Sequence, residues 1–404
     1  MKTQLSFIIV FITFIGYSQT FTNYTVADGV IPGVIYEIIQ DTDGDIWCVG
    51  WTEPDTPGIG RFDGTEWTQF GTEDGPHSNT MVSSFQDSSG NYWFGCVPFF
   101  GDDGVSMFDG TTWIQFSTAD GLAGSNVEDI IEDTDGNIWF ATGGGASMFD
   151  GTTFTNYTIE DGLSSNALTG VIQTTNGDFW FSTADSGAIR FDGTTFTNIT
   201  VEDGLASNEL SRVFQDQNEN IWFSSGFSDT GLTRFDGDSF TIFTTVDGLA
   251  SNNIREIAED NDGNVWFGGG FGASRFDGTD WLVLDQSDGL LSSGIRGIEA
   301  DDEGNIWFGT FEGVSVLNAG SLSTEEENLT SFSIFPNPVQ DQLTIQAPGA
   351  SAVLKVNLYS ILGELITSQE NTTIVDMSTL SSGVYFAEIL AINQQAQTIK
   401  IIKK

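Results

Sequence analysis

Positive charge, histidine and cysteine are all scarce in this 404-residue chain. It holds 12 Lys+Arg against 57 Asp+Glu, one His and two Cys, for a formal charge of −45. So few cations exclude a general nucleic-acid surface, which needs clustered Lys and Arg against phosphates. They also argue against docking on anionic membranes. One histidine, His77, removes most His-based catalysis and any His-rich metal centre. Cys48 and Cys96 make neither a disulfide scaffold nor a four-Cys zinc site. Both follow their repeat Trp by an odd offset in successive repeats, so their side chains point the same way round and do not meet. Free, largely buried thiols are expected. The one long apolar run, Leu5–Ile15, is too short to span a bilayer comfortably. With Lys2 before it and Gly16-Tyr17-Ser18 after it, it reads as a signal peptide over 1–18, cleaved after Ser18. No transmembrane segment is expected in the mature chain.

What is abundant is repetition. Trp47, Trp93, Trp139, Trp180, Trp222, Trp266 and Trp307 recur in near-identical contexts, spaced by 46, 46, 41, 42, 44 and 41. Phe-Asp-Gly follows six of them, starting at Phe62, Phe108, Phe149, Phe191, Phe235 and Phe276, and decays to Leu317-Asn318-Ala319-Gly320 in the last. In the third repeat, strands A to D are expected over 127–132, 137–141, 146–149 and 154–158. Asp135-Gly136 and Asp150-Gly151 are the hairpin turns, expected as type I′. Four short strands per repeat of this length form a β-propeller blade. Phe21-Thr22-Asn23-Tyr24-Thr25 matches strand D at Phe154–Thr158, and the last repeat lacks its own. The opening strand is therefore expected to complete the seventh blade and remove the open edge. The class is all-β: a seven-bladed propeller over 19–320, an acidic linker over 321–331 around Glu325-Glu326-Glu327, and a small β-sandwich over 332–404. Alternating Leu343/Ile345 and Val353/Val356/Leu358 support the sandwich.

Asp135–Phe140, Arg190–Thr194 and Asp203–Asn208 resemble the two-component regulator propeller repeat, over about 21–320. That resemblance implies a seven-bladed unit of the kind found in Bacteroidota, in ectodomains of carbohydrate-responsive sensor kinases and in free secreted proteins. The kinase and DNA-binding regions of the sensors are missing, so signalling does not carry over. Phe335-Pro336-Asn337-Pro338, Leu358-Tyr359, Gly363, Asp376, Leu380, Ser382–Tyr385 and the basic end at Lys400, Lys403 and Lys404 resemble a type IX secretion, type A sorting domain. This implies contact with that secretion machinery and export across the outer membrane. Removal of the domain, then release or attachment to surface lipopolysaccharide, follows from the same resemblance.

Alternating strand direction puts A–B and C–D turns on one face of the ring and B–C and D–A loops on the other. The Trp-to-strand-C offsets are 15, 15, 10, 11, 13, 10 and 10, so repeats one, two and five lengthen their B–C loops. Variable loops on a rigid scaffold are where binding groups gather. Trp51, Phe99, Phe100, Phe227, Phe271 and Phe311 lie there, and either stack on sugars or peptide side chains or pack the loops together. Arg61, Arg190, Arg234 and Arg275 precede Phe-Asp-Gly and are expected to pair with nearby Asp. Arg255 and Arg296 stand eleven residues before their Trp and Arg212 ten before, at the start of strand A, which lines the channel. They form either a positive spot for an acidic glycan or peptide terminus, or ion pairs with Glu209 and Glu256.

The expected function is an exported cell-surface or secreted protein that binds an extracellular glycan or peptide on the loop face, without catalysis or cofactor. Two alternatives stand: a glycan or lactone lyase, and a scaffold or adhesin. Asp-Gly-Asn-Ile-Trp-Phe also resembles the blade repeat of streptogramin lyases, whose chemistry needs a catalytic His near the channel; His77 stands in a D–A loop on that face. Asp41–Asp45 and Asp133–Asn137 resemble calcium loops, but Gly is fourth rather than sixth and no Glu stands at twelve, so hairpin turns are expected and weak calcium binding stays open.

Overall fold

The computed structural model describes residues 20–51, 56–97, 104–226, 228–319, 333–346, 353–360, 365–370, 372–391 and 396–404. The signal segment, the acidic linker, Phe99, Phe100 and Phe227 lie outside them. The chain divides into two compact units between residues 322 and 323.

The first unit holds seven four-stranded antiparallel sheets. Blade 3 runs Val127–Glu132, Ile138–Thr142, Gly145–Phe149 and Phe154–Tyr157, within a residue of the expected strands. Strand A opens the other blades at Val34–Gln40, Met81–Gln86, Leu168–Gln173, Arg212–Gln215, Ile254–Glu259 and Ile295–Ala300. The seventh sheet is closed by Phe21–Tyr24, paired with Val314–Leu317 from Phe21↔Leu317 to Tyr24↔Val314. Tyr24 stacks on Trp307, centroids 6.1 Å apart and planes 4° apart, so the seam is also filled by rings. The ring is closed by the opening strand, as the repeat pattern predicts.

Packing runs between blades. Trp139 of blade 3 lies 4.3 Å from the Phe179 ring of blade 4, amid Leu168, Val171 and Phe191. Truncating such a ring costs about 3–5 kcal/mol. The indole N–H has its own buried partner. Trp139 Nε1 donates to Asp133 Oδ2 at 2.7 Å, and the other Asp133 oxygen accepts the backbone N–H groups of Asp135 and Asn137. Trp47, Trp93, Trp222, Trp266 and Trp307 repeat the bond with Asp41, Asp87, Asp216, Asp260 and Asp301. In blade 4 Thr174 stands at the Asp position before Trp180. The first Asp of each apparent calcium loop is thus turned inward, and its oxygens are occupied by the hairpin and the indole.

The turn type differs from the type I′ expectation. Gly136 has φ +85°, but among the described residues only Glu219 and Asp229 are non-glycines at positive φ, so Asp135 is not left-handed. Gly136 N–H donates to Asp133 O at 3.0 Å and Asp133 N–H to Asn137 O at 2.9 Å, a three-residue loop with a glycine bulge. Asp150-Gly151 closes by Asp150 N–H to Thr153 O, with positive φ at Gly151 only, while the Thr152 and Thr153 N–H groups donate to the Asp150 carboxylate. Loop length and the inward pull on Asp133 set the backbone, not the Asp-Gly pair alone.

A hydrogen-bonded belt ties blade to blade at the turn end. Gln40, Gln86, Glu132, Gln173, Gln215 and Glu259 each accept a backbone N–H from the preceding blade's A–B turn, at 2.7–3.0 Å. Cys48 and Cys96 are buried thiols outside any disulfide, and burial raises the Cys48 thiol to about 12.

The second unit pairs a three-stranded sheet (Ser333–Phe335, Gln342–Gln346, Ile374–Asp376) with a four-stranded one built on Val353–Ser360 and Gly383–Ala391. Leu343, Ile345, Val356, Leu358, Ala387, Ile389 and Ile401 fill the core between them. Among the described residues, no helix is long and apolar enough to cross a membrane.

Candidate functional site

Strand A of six blades carries a β-bulge near its loop-face end, for example between Ile35 and Glu37, Val127 and Asp129, and Ile295 and Gly297. A bulge sets two residues of one strand against one of its partner, so two successive side chains can turn to the channel. The first of the two in these six blades, with Ser211 just before strand A of blade 5, makes a ring at the mouth: Tyr36, Val82, Glu128, Thr169, Ser211, Arg255 and Arg296. These seven, with Arg212, line an axial cavity of about 90 Å³. Each lies eleven residues before its Trp. Arg212, ten before, stands one layer deeper.

The mouth is lopsided. Arg296 lies with its guanidinium carbon 4.9 Å from the Tyr36 ring and 5.5 Å from the Phe311 ring. Among the described residues it makes no ion pair. Burial lowers the Arg296 pKa, against the pull of Tyr36; burial and the neighbouring Arg296 lower that of Arg255. The two cations therefore share one low-dielectric sector, where a carboxylate is recognised by fork geometry as well as charge. Tyr36 also approaches Trp51, centroids 6.2 Å apart. Trp51 is 41% exposed, Phe311 46% and Phe271 72%, so the arc from blade 6 through 7 to 1 presents rings to solvent. Phe311 can lie there because residue 294 is glycine; a Cβ at that position would fall 2.0 Å from the ring. Across the seven-fold ring, blade 3 faces the gap between blades 6 and 7, and it contributes Glu128. Glu128 accepts from Asn126 Nδ2 at 2.9 Å.

Beneath the mouth lies a buried charge layer. Arg212 Nε donates to Glu256 Oε2 at 3.0 Å, and its Nη1 to the Thr169 and Ser211 carbonyls. Glu37 and Asp129 share the layer. Asp129 accepts Val171 N–H at 2.8 Å, and Glu37 accepts Ser84 N–H, each from the next blade. Burial raises all three carboxyl pKa values, and Arg212 opposes it. Burial also works against the Arg212 charge, but Glu256, Asp129 and Glu37 overcome it and raise its pKa. Arg212 lines the mouth cavity, while Glu256 and Glu37 line a second cavity of about 440 Å³ at the other end of the channel. The Arg212–Glu256 pair separates the two.

The structure brings Arg255, Arg296, Phe311 and Trp51 together, leaves Phe271 exposed on the same face, and assigns Arg212 to an ion pair. Tyr36 and Glu128 were missed by motif reading, although the position eleven before each Trp marks them. His77 is not among the cavity residues; its backbone N–H donates to Ser106 Oγ on strand C of blade 2. Of the strand C arginines, Arg61 pairs with Asp45 and Arg190 with Asp178. Arg234 and Arg275 make no ion pair among the described residues, because the residues matching Asp45 are Asn220 and Asn264. Arg234 lies over the Trp222 and Phe243 rings instead.

Known proteins place this geometry. Residues 121–144, 248–271 and 289–312 match the two component regulator propeller, and 333–404 match the secretion system C-terminal sorting domain. The extracellular domain of the hybrid two component system BT3049 from B. thetaiotaomicron superposes with a TM-score of 0.65 at 19% identity, covering 95% of this chain and 57% of that one. A virginiamycin B lyase from Staphylococcus aureus superposes at 0.59 and 14% identity, covering 74% of this chain and 99% of the lyase. At such identities the likeness concerns the fold alone. The ulvan lyase NLR42 of Nonlabens ulvanivorans is 29% identical over 90 residues, which span 21% of this chain and 17% of that enzyme. The chain is a seven-bladed propeller, three stretches of which match the two component regulator propeller, followed by a secretion system C-terminal sorting domain, which directs it through type IX secretion to the cell surface or the medium.

Proposed function

We propose that this exported propeller binds an extracellular ligand, a glycan or a peptide bearing an acid group, on the loop face at the channel mouth. One observation carries the reading: Arg255 and Arg296 meet at an axial cavity flanked by Tyr36 and Phe311. Trp51 and Phe271 extend the apolar surface, and Arg212 forms the floor through its pair with Glu256. Cation and ring side by side suit a ligand that is flat or apolar next to its charge. The deep hydrogen-bonded layer holds the mouth in one shape, which lowers the ordering cost of binding.

The test is a glycan and peptide array probed with the full secreted chain, beside an Arg255→Gln/Arg296→Gln variant. Binding that the variant loses is the expected result. Binding that the variant retains in full would move the site away from the mouth.

A further inference from the structure

We infer that the mouth takes a single carboxylate end-on, the free C-terminus of a peptide chain, rather than a polyanion lying across the face. This rests on the proposed loop-face site and narrows it. Four observations support the choice. The cavity of about 90 Å³ holds a few waters' worth of space, a close match to a carboxylate and its α-carbon. Its inner end is polar, because Arg212 lines it and is held by Glu256, which lines the cavity beyond, so the ion pair stands between the two. The cations lie on one side only, on blades 6 and 7, and Glu128 faces them from blade 3, so a second negative charge on the ligand meets repulsion. The whole chain carries −45, so a polyanionic polymer is repelled at long range while one carboxylate is held by two short-range forks.

A uronate at a glycan end shares the carboxylate chemistry. Its acid group sits one bond from a six-membered ring, however, which the rim must exclude before the acid reaches Arg255 and Arg296. A peptide carries its terminal carboxylate on a slim backbone. The last side chain then falls on Phe311 and Phe271, which offer an apolar surface and no hydrogen bond.

The probes are peptides tethered by their N-termini, with each of the twenty residues last, in free-acid and amidated forms. Methyl glucuronide and neutral glycans are tethered beside them. The full chain is expected to bind free-acid peptides at least tenfold tighter than their amides. Arg255→Gln/Arg296→Gln should abolish that preference with the thermal midpoint unchanged, whereas Phe311→Ala should weaken acid and amide alike. Equal binding of acid and amide, or a preference for the glucuronide, would overturn the inference. If amidated peptides or neutral glycans bind equally well and Phe271→Ala or Phe311→Ala removes that binding, the broader loop-face reading stands and the end-on reading falls. If no probe binds, both fall.

Discussion

The two ends of the ring are built from the same seven repeats and obey different rules. At the turn end almost every blade does the same thing: an inward Asp holds an indole and a hairpin, and a Gln or Glu holds the next blade. At the loop end the equivalent position carries six residue types over seven blades, from Val82 to Glu128 to the paired Arg255 and Arg296. Uniform side chains satisfy the same buried groups in six of the seven blades. Dissimilar ones at a single register position cannot be explained by packing that every blade shares. The lesson is that within a repeat protein, position-by-position variation on a fixed scaffold separates stability from recognition.

That contrast can be broken from the stability side first. Deleting residues 20–24 removes strand D of blade 7 and the Tyr24–Trp307 stack, and exposes the edge of Val314–Leu317. A loss on the order of 5 kcal/mol or more in denaturant unfolding is expected. A loss under about 1 kcal/mol would mean that closure is incidental. Next, Asp133→Ala orphans the Trp139 indole and two backbone N–H groups, for an expected cost of about 2–4 kcal/mol by the same measurement.

A third change should stabilise. Glu299 is buried on strand A of blade 7, and desolvation lifts its pKa from about 4.5 to about 7 while the Gln40 N–H pulls it down. The folded state then keeps a proton that the unfolded chain releases, so stability falls as pH rises through that window. Glu299→Gln should add about 3 kcal/mol at pH 8 and almost nothing at pH 4. An equal effect at both values would refute the burial argument. Smallest on stability is the mouth: Arg255→Gln/Arg296→Gln should change it by less than about 1 kcal/mol, since these cations are themselves poorly solvated.

Most of the scaffold was legible from residues alone. The match of Phe21–Thr25 to Phe154–Thr158 specified the closure, because a repeat that ends one strand short leaves one place for a spare strand. The Trp spacing gave the blades, since indoles at one register position pack the same way each time. The turn type was not legible, because the sign of φ at Asp135 depends on the hydrogen bonds of Asp133 across the hairpin. In the site, the eleven-residue offset of Arg255 and Arg296 was visible, but its meaning depends on the bulge, which no residue pattern announced. Hence Tyr36 and Glu128, at the same offset, were passed over, and the single-residue difference at Arg212 hid a change of layer from mouth to floor.

The most direct test measures folding and binding on one variant. With Arg255→Gln/Arg296→Gln in the full chain, an unchanged thermal midpoint together with lost free-acid binding is the predicted result. A midpoint lowered by several degrees with binding intact would contradict it, and would make the two arginines part of the frame.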